Sequence, residues 1–145
     1  PPNNPPARLM MLRKMLRGKI HRATVTQCDP DYVGSITIDA DLLRAADIRP
    51  NEAVHVLDID NAARFETYVI RGEPGSGIIG INGAAAKLVS PGHKVIIVCY
   101  GLLDERFIDQ HEARIVLVGE DNRITQQLGY ASLIDEPAVE GMVEF

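Results

Sequence analysis

Apolar and polar positions alternate over several short stretches of this chain, the period-two signature of half-buried strands. From about Lys19 to Thr26, Ile20, Arg22, Thr24 and Thr26 alternate with His21, Ala23 and Val25, which predicts a first strand. Tyr32 to Ile38 predicts a second, rich in aromatic and β-branched residues but interrupted by Gly34. Ala53 to Ile59 and Ala63 to Arg71 predict a hairpin that turns at Asp60-Asn61. On its return arm Arg64, Glu66, Tyr68 and Ile70 share one face, while Phe65, Thr67 and Val69 share the other. Ile78 to Ile81, Lys94 to Leu103 and Arg114 to Gly119 are further strands, and Arg123 to Thr125 predicts a short return. A short helix runs through Leu42, Leu43, Ala45 and Ala46, capped by Asp39 or Asp41 and ended before Pro50. Asn82 opens a helical turn, Gly72 to Gly77 is a loop, and Asp104 to Glu112 is a charged turn or short helix. Many short strands separated by turns point to a small barrel or sandwich.

With 145 residues the chain suits one domain. The proline-rich start reads as a disordered extension over residues 1–10, with Met11 a natural beginning, and residues 120–145 read as a weakly ordered tail around a domain spanning 11–119. No apolar run reaches the roughly 18–20 residues of a membrane-crossing helix, so no membrane partner is expected. Two cysteines, Cys28 and Cys99, make neither a disulfide framework nor a metal-ligand spacing, which suggests a reduced, cytoplasmic protein and no bound metal.

Charge is unevenly placed. Arg8, Arg13, Lys14, Arg17, Lys19 and Arg22 lie within the first 28 residues, where there is no acid, in a chain of net charge −5 and pI about 5.3. These cations are few and carry no interleaved aromatics, unlike a nucleic-acid footprint. They fit a local positive site for an anionic small molecule.

The four histidines, His21, His55, His93 and His111, form no triad or metal pattern, and Gly72 to Gly77 lacks the lysine of a phosphate-binding loop. The remaining chemistry lies at Gly34-Ser35. A serine hydroxyl can attack the carbonyl carbon of the residue before it, and glycine there has no Cβ to obstruct the approach. Holding the reactants in one frame can supply roughly 7–11 kcal/mol of a barrier. The product is an ester. Loss of the serine Cα proton then expels the carboxylate, leaving dehydroalanine, which hydrolyses to a pyruvoyl group. Its ketone can form a Schiff base with an amine, and the adjoining carbonyl can accept electrons released by decarboxylation. Gly75-Ser76 is the same dipeptide, but it lies in a loop free to relax, whereas Ser35 sits where a strand can hold strain.

Five segments together carry a family resemblance: Gly18-Lys19-Ile20-His21-Arg22-Ala23, Tyr32-Val33-Gly34-Ser35, Ile38-Asp39, Asn61-Ala62-Ala63-Arg64-Phe65-Glu66-Thr67-Tyr68 and Ile81-Asn82-Gly83-Ala84-Ala85-Ala86. In order and separation they resemble the bacterial aspartate 1-decarboxylases over Met11 to about Leu117. The resemblance implies a mainly β, double-psi β-barrel with short helices, self-cleaved between Gly34 and Ser35. It implies a homotetramer with sites between subunits, a pyruvoyl cofactor made from Ser35, and L-aspartate converted to β-alanine for pantothenate synthesis. Tyr68 would return a proton after CO2 leaves, and Lys19 and Arg64 would face the substrate carboxylates. Thr67, Gly83, Ala84 and Ala85 would line the substrate, and Asn82 would support processing. Position 33 is Val where many relatives have Glu, so no maturation role passes to that side chain, and a maturation partner is not specified. A non-cleaving β-barrel module that binds an anionic ligand, or a pyruvoyl enzyme for another amino acid, stands as an alternative.

Overall fold

The computed structural model describes residues 9–135 and the backbone of 142–144. Within them the chain is mainly β, in the order β1 (Leu12–Thr24), β2 (Gln27–Asp29), β3 (Ser35–Asp39), α1 (Ala40–Ala46), β4 (Ala53–Asp58), β5 (Arg64–Gly72), β6 (Ile79–Asn82), β7 (Lys94–Asp104), β8 (Glu112–Val118), β9 (Ile124–Ala131) and β10 (Met142–Glu144). The strands hydrogen-bond in the sequence β10-β9-β8-β1-β7-β4-β5-β3-β6-β2. Three pairs are parallel, β1 with β8, β2 with β6 and β3 with β5, and they interleave with antiparallel ones. This mixed, wound pairing agrees with the double-psi β-barrel. Among the described residues no helix is long and apolar enough to cross a membrane.

The inward positions of the alternating strands make one core. Ile20, Ile36, Ile38, Val56, Ile81 and Ile97 are all fully buried in it, each contributing about 1.5–3 kcal/mol by leaving water. Asp39 caps α1 by accepting from the Asp41 N–H at 2.8 Å, and Asp47 in the left-handed region ends the helix. The β4–β5 hairpin keeps the expected faces: Arg64, Glu66 and Tyr68 face outward, while Val69 is buried.

Three sequence expectations change. The first strand starts at Leu12, not Lys19, because its pairing with β7 slips between Leu16 and Gly18 and again between His21 and Ala23. Such bulges break the period-two pattern that would have announced it. The second strand starts at Ser35, not Tyr32. Tyr32 still belongs to the turn, its N–H reaching the Asp29 carbonyl at 3.4 Å, and the β6 ladder ends at the pair Ser35–Asn82. Where a tail with only a short return at Arg123 to Thr125 was expected from residue 120, a 3-10 turn (Glu120–Asn122) leads into β9, which continues that return to Ala131 and pairs with β8 from Val118 back to Glu112. Its residues are mostly half-exposed, so backbone pairing, more than an apolar stripe, defines this strand. Of the expected N-terminal extension, residues 1–8 lie outside the described residues, and Leu9 and Met10 are exposed and outside any element.

Candidate active site

Strand β3 has two unlike faces. Ile36 and Ile38 point into the core, so Ser35, Thr37 and Asp39 fall on the opposite face. Ser35 is nonetheless only 1% exposed, because β6 lies alongside with Asn82 directly opposite. The Asn82 side-chain amide, itself buried, donates from Nδ2 to Ser35 Oγ at 2.9 Å and to Thr37 Oγ1 at 3.1 Å. The Ser35 hydroxyl in turn donates to the Val33 carbonyl at 3.1 Å. A buried hydroxyl with a donor on one side and an acceptor on the other is thereby fixed beside the Gly34–Ser35 peptide.

The segment before it is held just as closely. Gly83 opens the 3-10 turn Gly83–Lys87 with φ of +76°, and a Cβ there would come within 2.5 Å of Gly34 Cα and 2.8 Å of Gly34 N. Only glycine meets both demands at once, a left-handed backbone and direct contact with the neighbouring main chain. The turn that follows Asn82 therefore presses against the peptide that precedes Ser35. Ala84 is exposed and Ala85 half-buried beyond it.

On the other side of β3 runs β5 in parallel, with Val69 opposite Ile36. Tyr68 comes one position earlier, level with the start of β3, and is 37% exposed; Thr67 precedes it, half-buried. Ser35 at the start of β3, Asn82 and the adjoining Gly83 at the end of β6, and Thr67 and Tyr68 in the middle of β5 thus lie at about one level across three adjacent strands. Lys19 lies on β1, which pairs with β7 and β8, and Arg64 opens β5, four positions before Tyr68. Among the described residues no hydrogen bond or ion pair links either cation to Ser35, Asn82 or Tyr68. The clefts beside α1 and beside Met15 are likewise lined by other residues.

The family model for aspartate decarboxylase matches residues 11–125. The aspartate 1-decarboxylases of Bacillus thuringiensis (strain Al Hakam), Bacillus cereus (strain AH187) and Bacillus anthracis (strain CDC 684 / NRRL 3495) are each 55% identical over 119 residues, covering 82% of this chain and 94% of theirs. The chain belongs to the aspartate decarboxylase family.

Three features of this family member were not legible in the sequence. Val33, an exposed residue, takes part through its carbonyl, which accepts a hydrogen bond from the Ser35 hydroxyl. Thr37 shares the Asn82 amide with Ser35; the signal was its place two residues on, along the same strand face. His21 has a buried Nδ1 without a hydrogen-bond partner, and desolvation, with Lys19 and Arg22 nearby, lowers its pKa from the usual histidine value. A further cluster, Asp58, Asp60 and His93, brings ligand-type atoms within 4.8 Å of one another. Its acceptors are already engaged: Asp58 takes the N–H groups of Asp60 and Asn61 and lies 2.7 Å from His93 Nδ1, while Asp60 takes the Lys94 N–H. The cluster clasps the β4–β5 turn to the start of β7.

Proposed function

We propose that this chain cleaves itself between Gly34 and Ser35 and then removes the α-carboxyl group of L-aspartate, producing β-alanine and CO2 for pantothenate biosynthesis. Family membership supports the decarboxylation. The observation that carries the cleavage is the buried Ser35 hydroxyl, held between Asn82 Nδ2 and the Val33 carbonyl. Attack by Oγ on the Gly34 carbonyl carbon breaks the amide C–N bond and frees the Ser35 nitrogen as an amine. Removal of the Ser35 Cα proton then breaks the Cβ–Oγ bond, and Oγ departs as part of the Gly34 carboxylate. Water replaces the nitrogen, which leaves as ammonia.

The surroundings suit a pyruvoyl group at position 35: a strand start, an amide donor across the ladder and a glycine turn pressed against the departing segment. The chemistry such a group supplies is a ketone for the substrate amine and an electron sink when CO2 departs. Tyr68, beside the start of β3 and open to solvent, is the proton donor to the substrate carbon. Thr67, Gly83, Ala84 and Ala85 line the substrate, and Asn82 supports cleavage. Arg64 grips one carboxylate with its planar fork, and Lys19 supplies a point charge for the other. A homotetramer with sites between subunits, as the resemblance implies, would let a second copy bring its own Lys19 to the Ser35 cluster. The free Cys28 and Cys99 fit a reducing cytoplasm.

The test is the intact mass of the purified protein, followed by borohydride reduction with labelled aspartate or glutamate. Fragments 1–34 and 35–145, with aspartate label on the larger, are expected. A single unlabelled chain would favour a non-cleaving module for an anionic ligand, and label from glutamate alone would change the substrate.

A further inference from the structure

We infer that Thr37 is a positioning residue for self-cleavage, holding the Asn82 amide so that its N–H points at Ser35 Oγ; this rests on the cleavage reading above. The geometry comes from register. Ser35 and Thr37 stand at i and i+2 on one face of β3, Asn82 projects from the opposite position on β6, and Gly80, the residue opposite Thr37, has no side chain to intervene. The two hydrogens of one NH2 group diverge in a single plane. Here they meet two hydroxyl oxygens, at 2.9 Å and 3.1 Å.

With one acceptor the amide could turn about its last side-chain bond or exchange its oxygen for its nitrogen, since both ends have nearly the same shape. With two acceptors and the Ser35 proton already committed to Val33, the nitrogen is the end that fits. The consequence is chemical. When the Cβ–Oγ bond breaks, negative charge develops on Oγ as it leaves within the Gly34 carboxylate. A fixed N–H aimed at that oxygen stabilises the charge as it forms, without having to reorganise. Among the described residues Thr37 makes no side-chain hydrogen bond to the Gly34–Ser35 peptide; it acts through Asn82.

The experiment follows the appearance of the 35–145 fragment in freshly refolded full-length protein. Thr37→Val, similar in shape but without the acceptor, should slow cleavage about tenfold, the size of one lost hydrogen bond. Thr37→Ala, which removes the same acceptor without adding a methyl, guards against a folding failure of the valine variant and should slow cleavage similarly. Thr37→Ser should restore the rate to within about twofold. On an Asn82→Ala background, Thr37→Ala should change the rate less than about twofold, since the amide it positions is gone. Wild-type rates in both Thr37→Val and Thr37→Ala, a slow Thr37→Ser, or a full additional loss on the Asn82→Ala background would each overturn the inference while leaving the cleavage reading intact. A wild-type chain that never cleaves would overturn both.

Discussion

Gly34-Ser35 and Gly75-Ser76 are the same dipeptide attached to opposite ends of one strand. Ser35 begins β3, buried, with its hydroxyl between the Asn82 amide and the Val33 carbonyl. Asp39 ends the same strand, and its carboxylate accepts the N–H groups of Gly75 and Gly77 at 3.1 and 2.8 Å. Ser76, between those glycines, is exposed. Its hydroxyl donates to the Glu73 carbonyl at 2.6 Å and accepts from the Ile78 N–H at 3.2 Å, so the loop satisfies it from within. One serine is therefore held by a partner from across the sheet as well as by its own segment, and the other only by its own turn. A Gly-Ser bond becomes a candidate for rearrangement through what lies opposite it, since its own composition is the same at both places.

The sharpest contrast comes from removing each hydroxyl. Ser35→Ala should abolish fragmentation and β-alanine production, whereas Ser76→Ala should cleave within about twofold of wild type and lose only about 1 kcal/mol of stability. Electrophoresis and a product assay read both, and loss of cleavage in Ser76→Ala would reverse the assignment of the two dipeptides. Tyr68→Phe, next to Ser35 but not to Ser76, should cleave normally yet lose about 10²–10⁴-fold in turnover. Unchanged kcat would remove Tyr68 from proton return.

Backbone demands separate the two ends more gently. At Gly75, φ is +78° and a Cβ would meet only Asp41 Oδ2, at 3.9 Å. Gly75→Ala should therefore cost about 1–2 kcal/mol, the strain of a left-handed residue. Gly83→Ala adds a clash with the Gly34 main chain and should cost more than Gly75→Ala, with slowed cleavage that Gly75→Ala does not share. Equal unfolding midpoints for the two would contradict the close approach. The smallest effect concerns pH. His21 has a folded-state pKa below its unfolded value near 6.5, so the unfolded chain binds the proton more readily and stability should fall as pH drops below about 7. Denaturant midpoints at pH 7.5 and 5.5 should differ less for His21→Gln than for wild type, and an identical slope would sever that link.

Much of this was legible in one dimension. The β4–β5 hairpin, the faces of β5, the capped α1 and the turn at Asn82 follow from alternation, β-branching and the cap and turn preferences of Asp, Asn and Gly, all of which are local. The start of β1 and the continuation of β9 beyond Thr125 were not legible, because bulges and half-exposed edges erase periodicity while distant backbone partners supply the pairing. The site divides in the same way. Residue type alone marked Ser35 after Gly34 as a hydroxyl beside an unobstructed carbonyl, because residue type sets reactivity, whereas Tyr68, Lys19 and Arg64 follow from the family resemblance. Tertiary structure alone decided that the Ser35 hydroxyl is buried against Asn82, that Thr37 shares that amide and that Gly83 presses on Gly34. Those relations depend on which strand lies beside which, and sequence separation of 45 to 47 residues between partners leaves no local trace of it.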